Sequence, residues 1–289
     1  MSAQSIEEST ARPVARRAGG GGGLSLALAQ GGIEFKQFVR TRESLVFTLL
    51  FPVMLMLIFG SIFGSVVITP PGEIPAVTLS QYFVTGMIAS GIMATGFQNL
   101  AITIPIERDR GVLKRYRGTP MPKWVFFAGK ILCVAALAFI SVVMLLAVAV
   151  AFYDLRLPDT GQKWFTFGWV SVLGLIACTL CGIAFSGVAK TGRAGPAVVT
   201  PIALILQFTS GVFFEYDDLP PWMQQFAALF PLKWMCQGLR SVFLPESFAS
   251  QEVAGSYELG KVALVLAAWC VGGLVLCLVG FRWTSKREG

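Results

Sequence analysis

The chain has 289 residues, of which 55% are hydrophobic and 13% charged, with a net charge of +7 and no histidine. A mean hydropathy of +0.69 and 23 phenylalanines exceed what one soluble domain of this length can bury, so composition excludes that class and points to a membrane. The missing histidine also excludes a Ser-His-Asp triad and an H-E-x-x-H zinc site.

Residues 1–23 are polar, carry acids and end in a run of glycines. They lack the apolar core of a cleaved signal peptide and read as a disordered tail. Residues 24–44 follow as an amphipathic connecting helix. Phe35, Phe38 and Val39, continued by Leu45 and Val46, fall on one face, while Glu34, Lys36, Gln37, Arg40 and Glu43 fall elsewhere. That pattern suits a helix lying in the headgroup plane.

Residues 45–289 read as one transmembrane domain, an all-α membrane protein with six transmembrane helices. The stretches are 45–67, 79–104, 124–153, 165–189, 197–214 and 262–281, each near the ~20 apolar residues that cross a bilayer. The first holds Gly60 and Gly64, a GxxxG that lets two helices approach closely. The third holds Lys130 near its start, where it can snorkel to the interface. The fourth holds Cys178 and Cys181, read as small packing residues, with a zinc or redox site as the alternative. The fifth is short and carries Pro201.

Between the fifth and sixth stretches, Asp218 followed by Pro220 and Pro221 marks a helix start, with Asp218 as a candidate cap. Pro231 divides this helix from a second at 232–244. Trp222 and Trp234 suit an interface belt. Gln98, Asn99, Gln207, Thr209 and Ser210 are the polar residues within or beside the spans. They are candidates for a substrate path, or else hydrogen-bond one helix to another.

Lys and Arg alternate from side to side along the chain. They are dense before the first stretch and after the second, fourth and sixth, while the loop after the fifth is net acidic. Positive residues stay inside, so both termini are expected in the cytoplasm. The charge of +7 belongs to that face rather than to nucleic-acid binding.

The densest cluster is IERDRGVLKRYRGTPMP, residues 106–122. Val112, Leu113 and Tyr116 share one helical face with cations around them. Like charges at Arg110/Lys114 and Lys114/Arg117 oppose an isolated helix by a few tenths of a kcal/mol each, and Gly111 by roughly 1 kcal/mol. Such a helix needs a partner surface. Thr119-Pro120 then ends it. The bland reading is a topology signal held by anionic lipid.

The spans carry no midplane carboxylate of the kind proton- or sodium-driven transporters keep. The chain also has no G-x-x-x-x-G-K-[ST] phosphate loop. A driven step would therefore draw its energy from another protein.

Six spans, the amphipathic lead-in, E-R-x-R-G-x-L-K-R-x-R-x-T-P after span two, and G-V-F-F…D-L-P-P-W…P-L-K-W…L-R after span five together resemble the ABC-2 permeases, most closely the daunorubicin-resistance efflux branch. The resemblance covers the chain from about residue 24 to its end. It implies a membrane subunit of a bacterial inner-membrane exporter, not itself an enzyme. The implied complex pairs it with a second permease half and two copies of a cytoplasmic ABC ATPase that carry the ATP and Mg, leaving no cofactor in this chain. It implies that Glu107, Arg110, Gly111, Leu113, Lys114, Arg117, Thr119 and Pro120, with Tyr116 beside them, form the element that couples to the ATPase. It implies extracellular re-entrant half-helices between spans five and six, and a dimer contact along spans one and five, where Gly60 and Gly64 would pack. The expected substrates are amphipathic drug-like molecules or lipids. The alternative is a non-transporting membrane scaffold or sensor.

Overall fold

The computed structural model describes residues 23–68, 76–119, 121–189 and 191–280, except for the side chains of Arg117, Lys123 and Gly280. The tail read as disordered lies outside the described residues, up to residue 22, as does Pro120. The described chain is helical, with one isolated antiparallel bridge between Val67 and Thr78.

Helix α1 is Gly23–Arg40. It ends at Thr41, whose backbone is extended, and α2 follows as Arg42–Phe63. Helix α3 is Leu79–Asp109, opened by a capping box between Thr78 and Gln81 that satisfies end donors reciprocally. Then come α4, Val112–Arg117, α5, Lys123–Tyr153, and α6, Gly161–Phe185. Helices α7, Ala194–Thr209, α8, Pro221–Ala228, α9, Pro231–Phe243, and α10, Leu259–Gly280, complete the order.

Among the described residues, five helices are long and apolar enough to cross a membrane: α2, α3, α5, α6 and α10. Six were expected. Helix α7 has 16 residues, about 24 Å at ~1.5 Å per residue, against a hydrocarbon core of ~30 Å. It stops early because Gly211 has φ 75°. A Cβ there would lie 3.1 Å from both Tyr82 and Tyr216, so the turn requires glycine. Helix α3 runs five residues beyond its expected end and takes Glu107, Arg108 and Asp109 into the helix.

Two helices widen into a π turn, α2 over Val46–Leu50 and α3 over Ala94–Gln98. In α2 the Phe51 N–H reaches back five residues to the Val46 carbonyl. Pro52 follows directly, and its ring would press on the carbonyl four residues earlier in a regular helix. In α3 the wide turn lies against α6. A Cβ on Gly96 would fall 2.9 Å from the Cys178 Cβ, and one on Gly182 would fall 2.7 Å from the Gly96 carbonyl. The two helices thus meet backbone to backbone, which small residues allow.

Helix α3 is the centre of the bundle. Its apolar stretch is 78% buried, against no more than 39% for the other four long helices. Helix α9 packs against α3, α6 and α10, and every residue but Ser241 is buried. Trp234 is therefore not a belt residue: its Nε1 donates to the Ala228 carbonyl at 2.8 Å. Trp222 is exposed. Asp218 does not cap α8, because Pro220 occupies the cap position without a side-chain bond. Gln224 organises that turn instead, donating to the carbonyls of Tyr216 at 3.1 Å and Leu219 at 2.9 Å.

Gly60 packs within the chain. A Cβ there would strike the Tyr153 ring, whose hydroxyl donates to the Met56 and Leu57 carbonyls at 3.1 and 3.2 Å. Gly64 is the residue that ends α2. Gly60 therefore brings α5 against α2 within the chain.

Candidate functional site

The ends of α3, α5 and α6 that meet around residues 106–130 form the basic end of the bundle. At Gly111 the chain leaves α3 with φ 72° and open space where a Cβ would stand. This left-handed residue turns the backbone sharply into α4. Leu113 is fully buried. The Tyr116 ring lies 5.3 Å from the Phe126 ring, and its hydroxyl accepts from Gln30 Nε2 at 2.8 Å. The apolar face that the sequence presents as seeking a partner therefore finds one inside the chain, on α1 and α5. Lys114, Arg115 and Arg110 are exposed on the other side. Thr119 closes the segment by donating to the Tyr116 carbonyl at 2.8 Å.

Beneath α4 lies a buried charge cluster. Lys130 does not snorkel. Its side chain is 2% exposed and pairs with Glu34 Oε2 at 3.0 Å and Glu107 Oε1 at 2.7 Å. Gln30 Nε2 also donates to Glu34 Oε1 at 3.1 Å. One lysine of α5 thus holds carboxylates from α1 and α3, while Gln30 extends the network to α4. Backbones approach to make room for it. A Cβ on Gly129 would lie 3.2 Å from the Gly31 nitrogen, and one on Gly31 would lie 3.3 Å from the Gly129 carbonyl.

The next two residues of α3 hold the opposite side. Arg108 Nη2 donates to the carbonyls of Ser186 at 3.2 Å and Ala189 at 2.5 Å. A cation there satisfies carbonyls left open at the C-terminus of α6. Asp109 Oδ2 accepts from the Gly192 N–H at 2.5 Å. A Cβ on Gly192 would sit 2.9 Å from the Ile106 Cα. The end of α3 is therefore fixed to α1, α5, α6 and the turn before α7, with α4 as its direct continuation.

A second feature runs along α2, α3 and α7. A groove of about 500 Å³ is lined by Gln98, Asn99 and Gln207, with Phe47, Phe51 and Leu204 among its apolar walls. Both π turns contribute to it, and such turns recur at functional sites. Three of the five polar residues expected on a path are brought together here. Thr209 and Ser210 are not part of this lining. Thr209 donates to its own helix at the Ile205 carbonyl, 2.9 Å away, and Ser210 is fully buried.

The other end of the bundle is closed by a second buried pair. Arg240 of α9 grips Glu252 with two bonds, Nε to Oε1 at 2.5 Å and Nη2 to Oε2 at 3.0 Å. Its guanidinium lies 5.1 Å from the centre of the Tyr82 ring of α3. The Tyr82 hydroxyl accepts from the Tyr216 N–H at 3.1 Å. Lys233 stands over the Trp234 ring at 3.8 Å.

Of the residues expected in the coupling element, Glu107 enters the charge cluster, Gly111 makes the turn, and Leu113 and Tyr116 anchor inward. Arg110, Lys114 and Thr119 stand on the surface, Arg117 lies in α4 by its backbone, and Pro120 lies outside the described residues. The sequence reading missed Gln30, Glu34, Lys130 and Arg108. Lys130 gave a signal: a cation directly after a glycine near the start of an apolar span, with carboxylates available from two neighbouring segments.

The sequence profile of the ABC-2 type transporter family matches residues 31–244. The inner membrane transport permease YadH of Escherichia coli K12 is 25% identical over 209 residues, covering 72% of this chain and 80% of YadH. The putative transport permease ycf38 of Cyanophora paradoxa is 23% identical over 255 residues, covering 87% of this chain and 85% of ycf38. That of Porphyra purpurea is 21% identical over 231 residues, covering 80% and 78%. With its long apolar helices and a family match across most of its length, the chain belongs to the ABC-2 type transporter family.

Proposed function

We propose that this permease is the membrane half of an ATP-driven exporter of the daunorubicin-resistance type. It moves amphipathic drug-like molecules or lipids outward while a separate ABC ATPase hydrolyses ATP with Mg. The carrying observation is the Glu34–Lys130–Glu107 cluster, which joins α1 and α5 to the central span and which Gln30 extends to the short basic helix at the Tyr116 hydroxyl. In this reading α4 is the coupling element. Arg110, Lys114 and Arg115 face the ATPase, while Leu113 and Tyr116 transmit its motion inward. ATP closes two ATPase copies, α4 shifts with α3, and the groove wall formed by α3 and α7 moves.

The basic end and both termini lie in the cytoplasm, since positive residues concentrate on that side. Helix α7 is the short fifth of six spans. Helices α8 and α9 are re-entrant half-helices on the outer side, where the Arg240–Glu252 pair seals the path. Two permease halves, alike or sister chains, face each other across α2 and α7, which expose Phe47, Met54, Ile58, Ile205 and Phe208. The grooves with Gln98, Asn99 and Gln207 then line the path between them. The mix of amide and aromatic side chains suits amphipathic cargo.

Co-purification with candidate ABC ATPases from the same organism tests this reading. Lys114→Glu/Arg115→Glu reverses the exposed charges and leaves the buried face intact. The ATPase is expected to accompany the wild-type chain and to be lost from the double variant. Equal recovery would move the docking surface away from α4. Failure of every candidate to bind the wild type would favour the scaffold or sensor reading.

A further inference from the structure

A second cavity, of about 360 Å³, lies on the far side of the wall that backs the groove. The separation is residue by residue. On α3, Met93 and Phe97 line this cavity while Ala94 and Gln98 line the groove. On α7, Ile202 and Leu206 line the cavity while Leu204 and Gln207 line the groove. Helices α6 and α10 form its outer walls.

The lining is carbon, thiol, one thioether and one indole. The indole nitrogen of Trp269 is already engaged, donating to the Leu229 carbonyl at 2.9 Å. The buried thiol of Cys178 lies 4.0 Å from the Met235 sulfur. A bound water needs two to four polar partners, and apolar cavities of ~150 Å³ already stay dry and admit hydrocarbon. This cavity falls within the ~300–1,000 Å³ range of ligand pockets.

Its shape follows the helices. The lining runs from Cys178 to Phe185 on α6 and from Trp269 to Leu276 on α10. Each spans eight residues, seven steps and about 10 Å along the axis at ~1.5 Å per residue. Its walls thus run along the spans, as a slot between α6, α7 and α10. It is closed at depth, where Met93 and Cys178 are each 2% exposed. It opens at the rim, where Val188 and Leu276 are exposed on the outer apolar surface. That surface is the one a bilayer contacts.

We propose that this slot holds one acyl chain of a bilayer phospholipid, inserted from the side between α6, α7 and α10. An apolar slot whose walls follow the spans and which opens on the outer apolar surface accepts a hydrocarbon chain and excludes a charged headgroup. Left empty, its lining would lose dispersion contacts on one side. The chain fills the space behind the α3–α7 wall and so supports the groove from the membrane side. The inference stands on the spans alone and does not require the ATPase or the direction of transport.

Photolabelling tests it. The full-length protein is reconstituted in phosphatidylcholine vesicles containing a phosphatidylcholine with a diazirine at the end of one chain, and the labelled peptides are mapped. Label is expected to concentrate on the slot, at Cys178, Phe185 and Phe97. Ala184→Trp, which plugs the slot, should abolish that label. If that variant does not fold, Leu276→Trp at the rim should do the same. Leu264→Trp, on the exposed face of α10, should leave the label in place. Label spread evenly over exposed span residues, or slot label that survives both plugs, would overturn the proposal. So would slot label that a free diazirine fatty acid gives and the phospholipid does not.

Discussion

Two buried charge sites bracket the bundle, and they are built differently. At one end Arg240 meets a single carboxylate, Glu252, with two parallel bonds, and the partners are twelve residues apart in the chain. At the basic end Lys130 meets two carboxylates, from segments 96 and 23 residues away; among the described residues each site leaves one polar atom without a hydrogen-bond partner, Arg240 Nη1 and Glu107 Oε2. The first site is local, bidentate and balanced in charge. The second gathers three helices around a point charge with a surplus of acid. A planar guanidinium fixes one geometry, whereas an ammonium on a flexible stem tolerates several. The comparison separates a clasp suited to holding from a joint suited to moving.

The largest expected effect falls on the clasp. Arg240→Met leaves Glu252 buried and unpaired, and breaking a buried pair costs about 3–5 kcal/mol. Thermal unfolding in detergent should show the loss. Arg240→Lys should recover little of it, because the two-bond geometry is gone. Full recovery by lysine would erase the contrast between the two ends.

Lys130→Met should cost less, roughly 3 kcal/mol at the low end of the same range, because Glu34 and Glu107 keep 12% and 19% exposure. Adding Glu107→Gln removes one stranded charge and should return part of the stability. A double-variant cycle measures the coupling directly. Purely additive losses would mean that the cluster is not one unit.

Smaller again is the approach of the two backbones beneath the cluster. A methyl at Gly129 would lie 2.5 Å from the Gln30 side chain. Gly129→Ala should cost about 1–3 kcal/mol by overpacking and should pull Gln30 from Tyr116. Gly168→Ala, where a Cβ meets open space, is the control. Equal stability of the two variants would show that α1 and α5 can part without consequence.

Much of this architecture was legible from the sequence, and the omissions have physical causes. Runs of apolar residues located the long helices because a bilayer sets their length. The basic segment stood out because charge is scarce around it. Where a stretch ended was harder to see. Helix α7 stops at Gly211, whose φ of 75° turns the chain, a helix-ending glycine that the apolar run continuing to Phe214 masked. The direction of Leu113 and Tyr116 was hidden for a different reason. Periodicity reveals that a face is apolar but not whether its partner belongs to the same chain. Lys130 read as a snorkelling lysine until Glu34 and Glu107 were placed beside it. The polar path residues divided likewise: Gln98, Asn99 and Gln207 share a groove, while Thr209 bonds to its own helix.

The smallest effect concerns acids on the clasp's side that take part in neither pair. Burial raises the carboxyls of Glu215 and Asp217 above their ordinary values of 4.5 and 3.8. Asp218 adds to the effect on Glu215, and Glu252 to that on Asp217. The folded state therefore holds these protons more tightly than the unfolded chain does. Below the unfolded values both states are protonated and the acids cost nothing. As pH rises through the raised folded values, the fold must accept charges it disfavours, and stability falls. Unfolding midpoints measured upward from pH 4 should show this slope, and Glu215→Gln/Asp217→Asn should flatten it. Both residues lie outside the basic end, so the difference that Glu215→Gln/Asp217→Asn makes to the slope should be the same in the wild-type and Lys130→Met backgrounds. A difference that disappears in the Lys130→Met background would mean that the two ends titrate as one system and that the division between clasp and joint is wrong.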